Sequence, residues 1–164
     1  MFELKPLSQQ AIPGALEKAE RYRLLNEPAE AESICLDVLR TEPDNQRALV
    51  LLLLALTDRF GKGYAVGITQ AQDLLPKLRG EYERLYYAGV ISERRGKAAL
   101  QAGTPGFVAA EWLREAMSLY EQAAAKRPAG NDDALLRWNT CVRIIEQNHL
   151  PEGQEEERTE MGLE

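Results

Sequence analysis

The stretch 13-PGALEKAERYRLLNEPAEAESICLDVLRTEPDN-45 decides the fold. Ala19 and Ala31 lie 12 positions apart, and Pro43 follows Ala31 by another 12. Small side chains at such positions let two antiparallel helices approach closely. The proline stops the second helix because it lacks the backbone donor that a helix interior needs. A first helix is predicted over 13–25, with Pro13 in its first turn, where a missing N–H costs nothing. Asn26 is placed to cap a second helix over 27–41, and Pro28 again falls in a first turn. Ala31, Ile34, Cys35, Val38 and Leu39 recur at helical rather than strand intervals. The segment 41-TEPDN-45 then turns the chain.

Working outward, the next helix, 46–59, is apolar nearly all round from Ala48 to Leu56. Such a helix is covered on most sides. The glycines of 60-FGKG-63 break it. A fourth helix, 65–79, carries Ala71, Leu74, Leu75 and Leu78, with Pro76 inside the pattern, so a kink or an early end is expected there. A fifth runs from Glu81 towards Leu100. A sixth starts near Thr104-Pro105, with the threonine as cap, and reaches Lys126. A seventh, 132–147, follows Asn131, and Asp132 and Asp133 in its first turn complement the helix dipole. Ala116, Tyr120, Ala123 and Pro128 repeat the offsets of Ala31, Cys35, Val38 and Pro43, displaced by 85. This is the strongest internal sign of repetition.

These residues resemble the tetratricopeptide repeat family, most closely over 12–45, then over 110–145, and least over 60–105. The resemblance implies an all-α fold: a short right-handed solenoid of three helix hairpins with a closing helix as terminal cap. A standard unit has about 34 residues, whereas Ala31 to Ala71 is 40 and Ala71 to Ala116 is 45. In the third unit the small positions are Gly89 and Ala116, 27 apart where the first unit has 12, so 15 residues are extra. Lengthening each helix of that pair by about two turns, roughly seven residues, absorbs them. The tip 98-AALQAGTPGFVAAEW-112 would then project, presenting Leu100, Phe107, Val108 and Trp112 to its own pair, to a neighbouring repeat or to a partner. It is a candidate contact for a second copy of the chain.

Family members bind peptides on a concave face lined by the first helix of each unit. Carried over by position, the resemblance places Leu16, Glu20 and Arg23 there from the first unit and Val50, Leu54 and Thr57 from the second. It adds Tyr86, Val90 and Glu93 from the third, and Leu135, Asn139 and Val142 from the closing half-unit. Each set is spaced by three or four residues and so forms one helical stripe. The bland alternative is that these residues pack against one another. Chaperone-binding members resemble each other in a Lys/Asn/Arg clamp for a terminal carboxylate, and cationic forks do suit carboxylates. Leu16, Glu20, Val50 and Leu54 stand at those positions, which argues against such a ligand. Tyr82, Tyr86 and Tyr87 cluster with Arg84, Arg94 and Arg95, residue types common both at interface hot spots and on ordinary helices.

Composition narrows the class further. The 164 residues carry a net charge of −6, and 45% are hydrophobic. One domain over 1–150 and an acidic, flexible tail over 151–164 are expected, since 152–164 hold six Glu and one Arg. A nearly neutral body and an acidic tail do not suit a nucleic-acid binder, which needs clustered cations. Cys35 and Cys141 have no paired-ligand spacing, so buried free thiols are expected rather than a disulfide or zinc site. The start MFELKPLSQQ lacks a basic segment followed by a long apolar one, and 48-ALVLLLLAL-56 is too short to span a bilayer. A cytoplasmic protein is expected. The 61-GKG-63 pair lacks phosphate-loop spacing. His149, the only histidine, stands at a helix end without acidic or thiol neighbours, so neither a metal site nor nucleophilic catalysis is indicated. With no cofactor motif, the expected function is a non-enzymatic scaffold or adaptor. The alternatives are a self-associating module and an accessory domain of an enzyme complex.

Overall fold

The computed structural model describes residues 1–62, 67–153 and 162, and among these every regular element is helical. The α-helices are α1 (Ile12–Leu24), α2 (Pro28–Thr41), α3 (Gln46–Thr57), α4 (Ile68–Leu74), α5 (Glu81–Gln101), α6 (Gly106–Ala125) and α7 (Asp133–Gln147). Contacts gather them into two compact units. One holds α1–α4; the other holds the 3₁₀ turn Phe60–Lys62 together with α5–α7. Most of the acidic tail expected at 151–164 lies outside the described residues, as does Gly63 of the predicted glycine break.

In the first unit α1 packs on α2, α2 on α3, and α1 on α3, with α4 against α3. Ala19, Ala31, Cys35 and Val38 are fully buried at the α1/α2 seam, so the small positions in the sequence mark the close approach. Eight of the 12 residues of α3 are buried, as its all-round apolarity requires. Each fully buried leucine there, Leu53 for example, contributes about 1.5–3 kcal/mol of transfer free energy. The Asn45 side chain caps α3 by accepting from the Ala48 N–H at 2.9 Å. Pro76 ends α4 early: the α-helix stops at Leu74 and continues only as a 3₁₀ turn over Leu75–Lys77.

Two predicted caps are corrected. Asn26 does not open α2; it closes α1. It adopts the left-handed φ of 61°, its N–H bonds to the Arg23 carbonyl at 3.0 Å, and the Glu27 N–H reaches the Tyr22 carbonyl at 2.9 Å. That doubled bond satisfies carbonyls that the last helical turn leaves free. Thr104 likewise serves the helix behind it, its hydroxyl donating to the Ala99 carbonyl at 2.9 Å, while Gly103 takes the left-handed position at φ 69°. His149, at φ 51°, terminates α7 in the same way.

In the second unit α5 packs along α6, and α6 against α7. The α5 and α6 helices have 21 and 20 residues against 13 and 14 for α1 and α2. With one more residue in the 102–105 connection than in 25–27, this lengthening accounts for the 15 extra positions. Close approach is set by two glycines. A methyl on Gly89 would meet the Tyr120 ring at 2.6 Å, and one on Gly96 would meet Leu113 at 3.0 Å. At the tip, Leu100, Phe107, Val108 and Trp112 are half-buried. The Arg95 guanidinium covers the Trp112 ring at 3.5 Å, a cation–π contact, and the Phe60–Lys62 turn packs on α5.

Candidate functional site

The row expected to meet a partner falls on α1 and α3 in the first compact unit and on α5 and α7 in the second. In the first unit Leu16 of α1 and Thr57 of α3 are buried, the threonine hydroxyl donating to the Leu54 carbonyl at 2.8 Å. Val50 and Leu54 are half-buried on α3. Two ion pairs tie α1 to the α3 segment. Arg23 Nε lies 2.7 Å from Asp58 Oδ2, and Glu20 meets Arg47 at 3.1 Å. The second pair is exposed and contributes little. The accessible part of this row is thus two aliphatic side chains flanked by two ion pairs.

In the second unit the row turns inward. Val90 and Glu93 are fully buried, so neither offers surface to another molecule. Glu93 is the one charged side chain buried among the described residues, and all three helices converge on it. From α6, the Tyr120 hydroxyl donates to its Oε1 at 3.1 Å. From α5, Lys97 Nζ approaches Oε2 at 2.8 Å. From α7, the Arg137 guanidinium reaches Oε2 at 3.1 Å, and Cys141 Sγ lies 3.9 Å from Oε1. A buried carboxyl is tolerated only when it is paired and hydrogen-bonded, and this one has two cations and two neutral donors.

The electrostatics follow. Burial, reinforced by the Glu93 charge, pushes the Tyr120 phenol far above its usual range. The same two causes raise the Cys141 thiol to about 12. Cys35 is raised to about 12 by burial and then by Glu32. For Arg137, burial is the largest single effect and opposes the charge, but Glu93, the Tyr86 hydrogen bond and the nearby phenols together outweigh it and the shift is upward. At neutral pH the two thiols are protonated, and a protonated thiol is a poor nucleophile. The polar groups therefore satisfy one another in the interior instead of meeting at the mouth of a cavity.

Beside this hub lies an ordered aromatic group. Tyr82 and Tyr86 stack at 5.7 Å, Tyr87 meets Tyr86 edge-on at 5.0 Å, and Tyr86 touches Tyr120 at 5.8 Å. Tyr86 also hydrogen-bonds Arg137, and Tyr82 reaches Asn131 at 3.5 Å. Tyr82, Tyr86 and Tyr87 remain half-buried, with an edge open to solvent. Of the α7 residues in the predicted row, Leu135 and Asn139 are exposed. Val142 lines a cavity of about 290 Å³ with Arg114 and Met117 of α6. The α7 side chains that meet Glu93 are Arg137 and Cys141, which the spacing does not single out. The signal available is Glu93 itself, an acid that follows closely on the apolar Val90-Ile91 pair.

Among the described residues no group of His, Cys, Asp and Glu is placed to hold a metal ion, and no helix is long and apolar enough to cross a membrane. Comparison with protein-family models, curated proteins and solved structures finds no match.

Proposed function

We propose that the chain is a non-enzymatic protein-interaction module, a scaffold or adaptor of the tetratricopeptide kind, with right-handed stacked hairpins and a cytoplasmic working place. One observation carries the reading. A first helix, its hairpin partner and the following helix pack together in both units, and each leaves a row of partly open apolar or aromatic side chains. In one unit these are Val50 and Leu54; in the other they are Tyr82 and Tyr86. Two further features support it. Ala31, Cys35 and Val38 are buried, and so are Ala116, Tyr120 and Ala123 at the same 85-residue displacement. The tyrosines are also held rigid by stacking and by Arg137, which lowers the entropy lost when an aromatic side chain anchors a partner. Buried protonated thiols suit a reducing compartment.

Each row, taken within its own unit, would take an extended peptide or a helix with apolar anchors three or four residues apart. Affinity capture with Leu54→Glu and Tyr86→Glu tests the two rows separately, with Leu136→Glu as control on the exposed face of α7. Loss of a captured protein in one or other row variant and its retention in the control is the expected result. Equal recovery by all four proteins would refute binding through either row.

A further inference from the structure

One side chain joins the buried hub of the second unit to its open tyrosines. Arg137 reaches Glu93 Oε2 at 3.1 Å and also hydrogen-bonds Tyr86. Tyr86 is the ring that touches Tyr82, Tyr87 and Tyr120, at 5.7, 5.0 and 5.8 Å. Glu93 is fully buried, whereas the Arg137 side chain is 29% exposed and Tyr86 is half-buried. The bonds therefore run outwards from the interior, through Tyr120, Glu93 and Arg137 to Tyr86.

The direction of the last bond follows from its ends. A guanidinium has N–H donors and no acceptor, so the Tyr86 oxygen accepts. The phenol keeps one proton of its own, which is directed away from the arginine. The other two hydroxyls of the network are committed: Tyr120 donates to Glu93 at 3.1 Å, and Tyr82 lies 3.5 Å from Asn131 Oδ1. Among the described residues the Tyr86 proton meets no acceptor.

We propose that Arg137 is a positioning residue that fixes Tyr86 as a hydrogen-bond donor, and that the α5 row thereby takes a backbone carbonyl of an extended partner peptide. The inference rests on the protein-interaction reading and names what that row selects. An extended segment carries free carbonyls, whereas those inside a helix are bonded within it. The free carbonyls at a helix C-terminus are the negative end of its dipole, and the charge beside these rings is negative too. Burial, then the neighbouring phenols, Asp133 and Glu83 raise the Tyr82 and Tyr87 phenols. A partner carboxylate would meet the same repulsion. Arg137 already faces Glu93, and Lys97 stands about 16 Å further along α5 than Tyr86, so an uncharged acceptor fits best.

Short capped peptides of random sequence, selected on the full chain, test this with Tyr86→Phe and Arg137→Met. The phenylalanine keeps the ring and removes the hydroxyl. The methionine removes the donor to Tyr86 and leaves Lys97 to pair with Glu93. Each variant should weaken the selected peptides about three- to tenfold, as the loss of one hydrogen bond does. The double variant should weaken them no further, because Arg137 acts through the Tyr86 hydroxyl. Replacing the peptide amides one at a time by esters, whose carbonyls are weaker acceptors, should reduce affinity at one position in the wild type and not in Tyr86→Phe. In the wild type a nuclear Overhauser contact between the Arg137 guanidinium and the Tyr86 ring should be present, a measurement that needs no variant to fold. Unchanged binding by Tyr86→Phe, losses that multiply in the double variant, a library without binders, or a missing Overhauser contact overturns the proposal. Capture that is lost in Tyr86→Glu but intact in Tyr86→Phe would keep the row and reject the carbonyl, so the two readings fail separately.

Discussion

The α1/α2 and α5/α6 hairpins place different side chains in one slot. At the corresponding buried position of the second helix, the first hairpin has Cys35 and the second has Tyr120. The thiol is small and needs no strong partner, so alanine suffices opposite it at position 19. The tyrosine is large and carries a hydroxyl. Its ring leaves room only for a glycine at position 89, and its hydroxyl needs an acceptor, which Glu93 supplies. Glu93 in turn needs cations, and Lys97 and Arg137 provide them. One enlarged side chain thus accounts for a glycine, a buried acid and an ion pair to α7. In the first hairpin the residue at the place of Glu93 is Arg23, which pairs with Asp58 near the surface. The link between the first helix and the third recurs with its charges reversed and at a different depth.

The largest expected break of this comparison is Glu93→Ala. Removing the shared partner of Tyr120, Lys97 and Arg137 should cost about 3–5 kcal/mol, whereas Arg23→Ala, in the shallower pair, should cost about 1 kcal/mol or less. Urea titration of both variants measures the gap, and equal losses would show that the buried network is no more than a surface pair in disguise. Next comes Gly89→Ala, where the added methyl must displace the Tyr120 ring. A loss of about 1–3 kcal/mol is expected from overpacking, and the same Gly89→Ala change should cost less when made in a Tyr120→Cys background, where the ring that it crowds is gone.

The thiols, Cys35 on α2 and Cys141 on α7, give a pH test common to both units. Each is raised from 9.0 to about 12 in the folded chain, so the folded state holds protons that the unfolded state releases. Stability from this source is fully present below pH 9 and falls as pH rises from 9 towards 12. The loss is on the order of 1 kcal/mol per thiol for each pH unit in that window. Thermal melts between pH 7 and 11 should stay level and then decline. Cys35→Ala/Cys141→Ala should flatten the decline, and a slope unchanged by that pair would assign it to other groups. The smallest effects belong to the helix ends. Asn26→Gly should stabilise by a few tenths of a kcal/mol up to about 1, and Gly103→Ala should destabilise by about 1, because both positions have positive φ. Opposite signs in the same melting series are the check.

Much of the helical layout is legible in the order of residues. Apolar spacing locates the seven α-helices of the described residues, and the excess between Gly89 and Ala116 marks the lengthened pair α5/α6. Pro76 announces the early end of α4. These features depend on local rules, i to i+4 periodicity and the backbone chemistry of proline, which act within one helix. The caps are less legible. Asn26 and Thr104 suit either side of a turn by composition, and only the path of the chain through the left-handed residue shows which helix they serve. Arg137 and Cys141 escape a reading by spacing because their partner, Glu93, lies more than 40 positions away.

By itself, then, the order of residues determines that this chain is helical, where its helices lie, and which faces are apolar. Tertiary structure alone decides that Glu93 is a buried hub rather than a contact on a surface, that Val90 and Thr57 are covered, and that the contacts gather into two units. The physical reason is range. Backbone propensity and periodicity are expressed within a few residues, whereas burial and charge pairing depend on which distant side chain fills the facing slot.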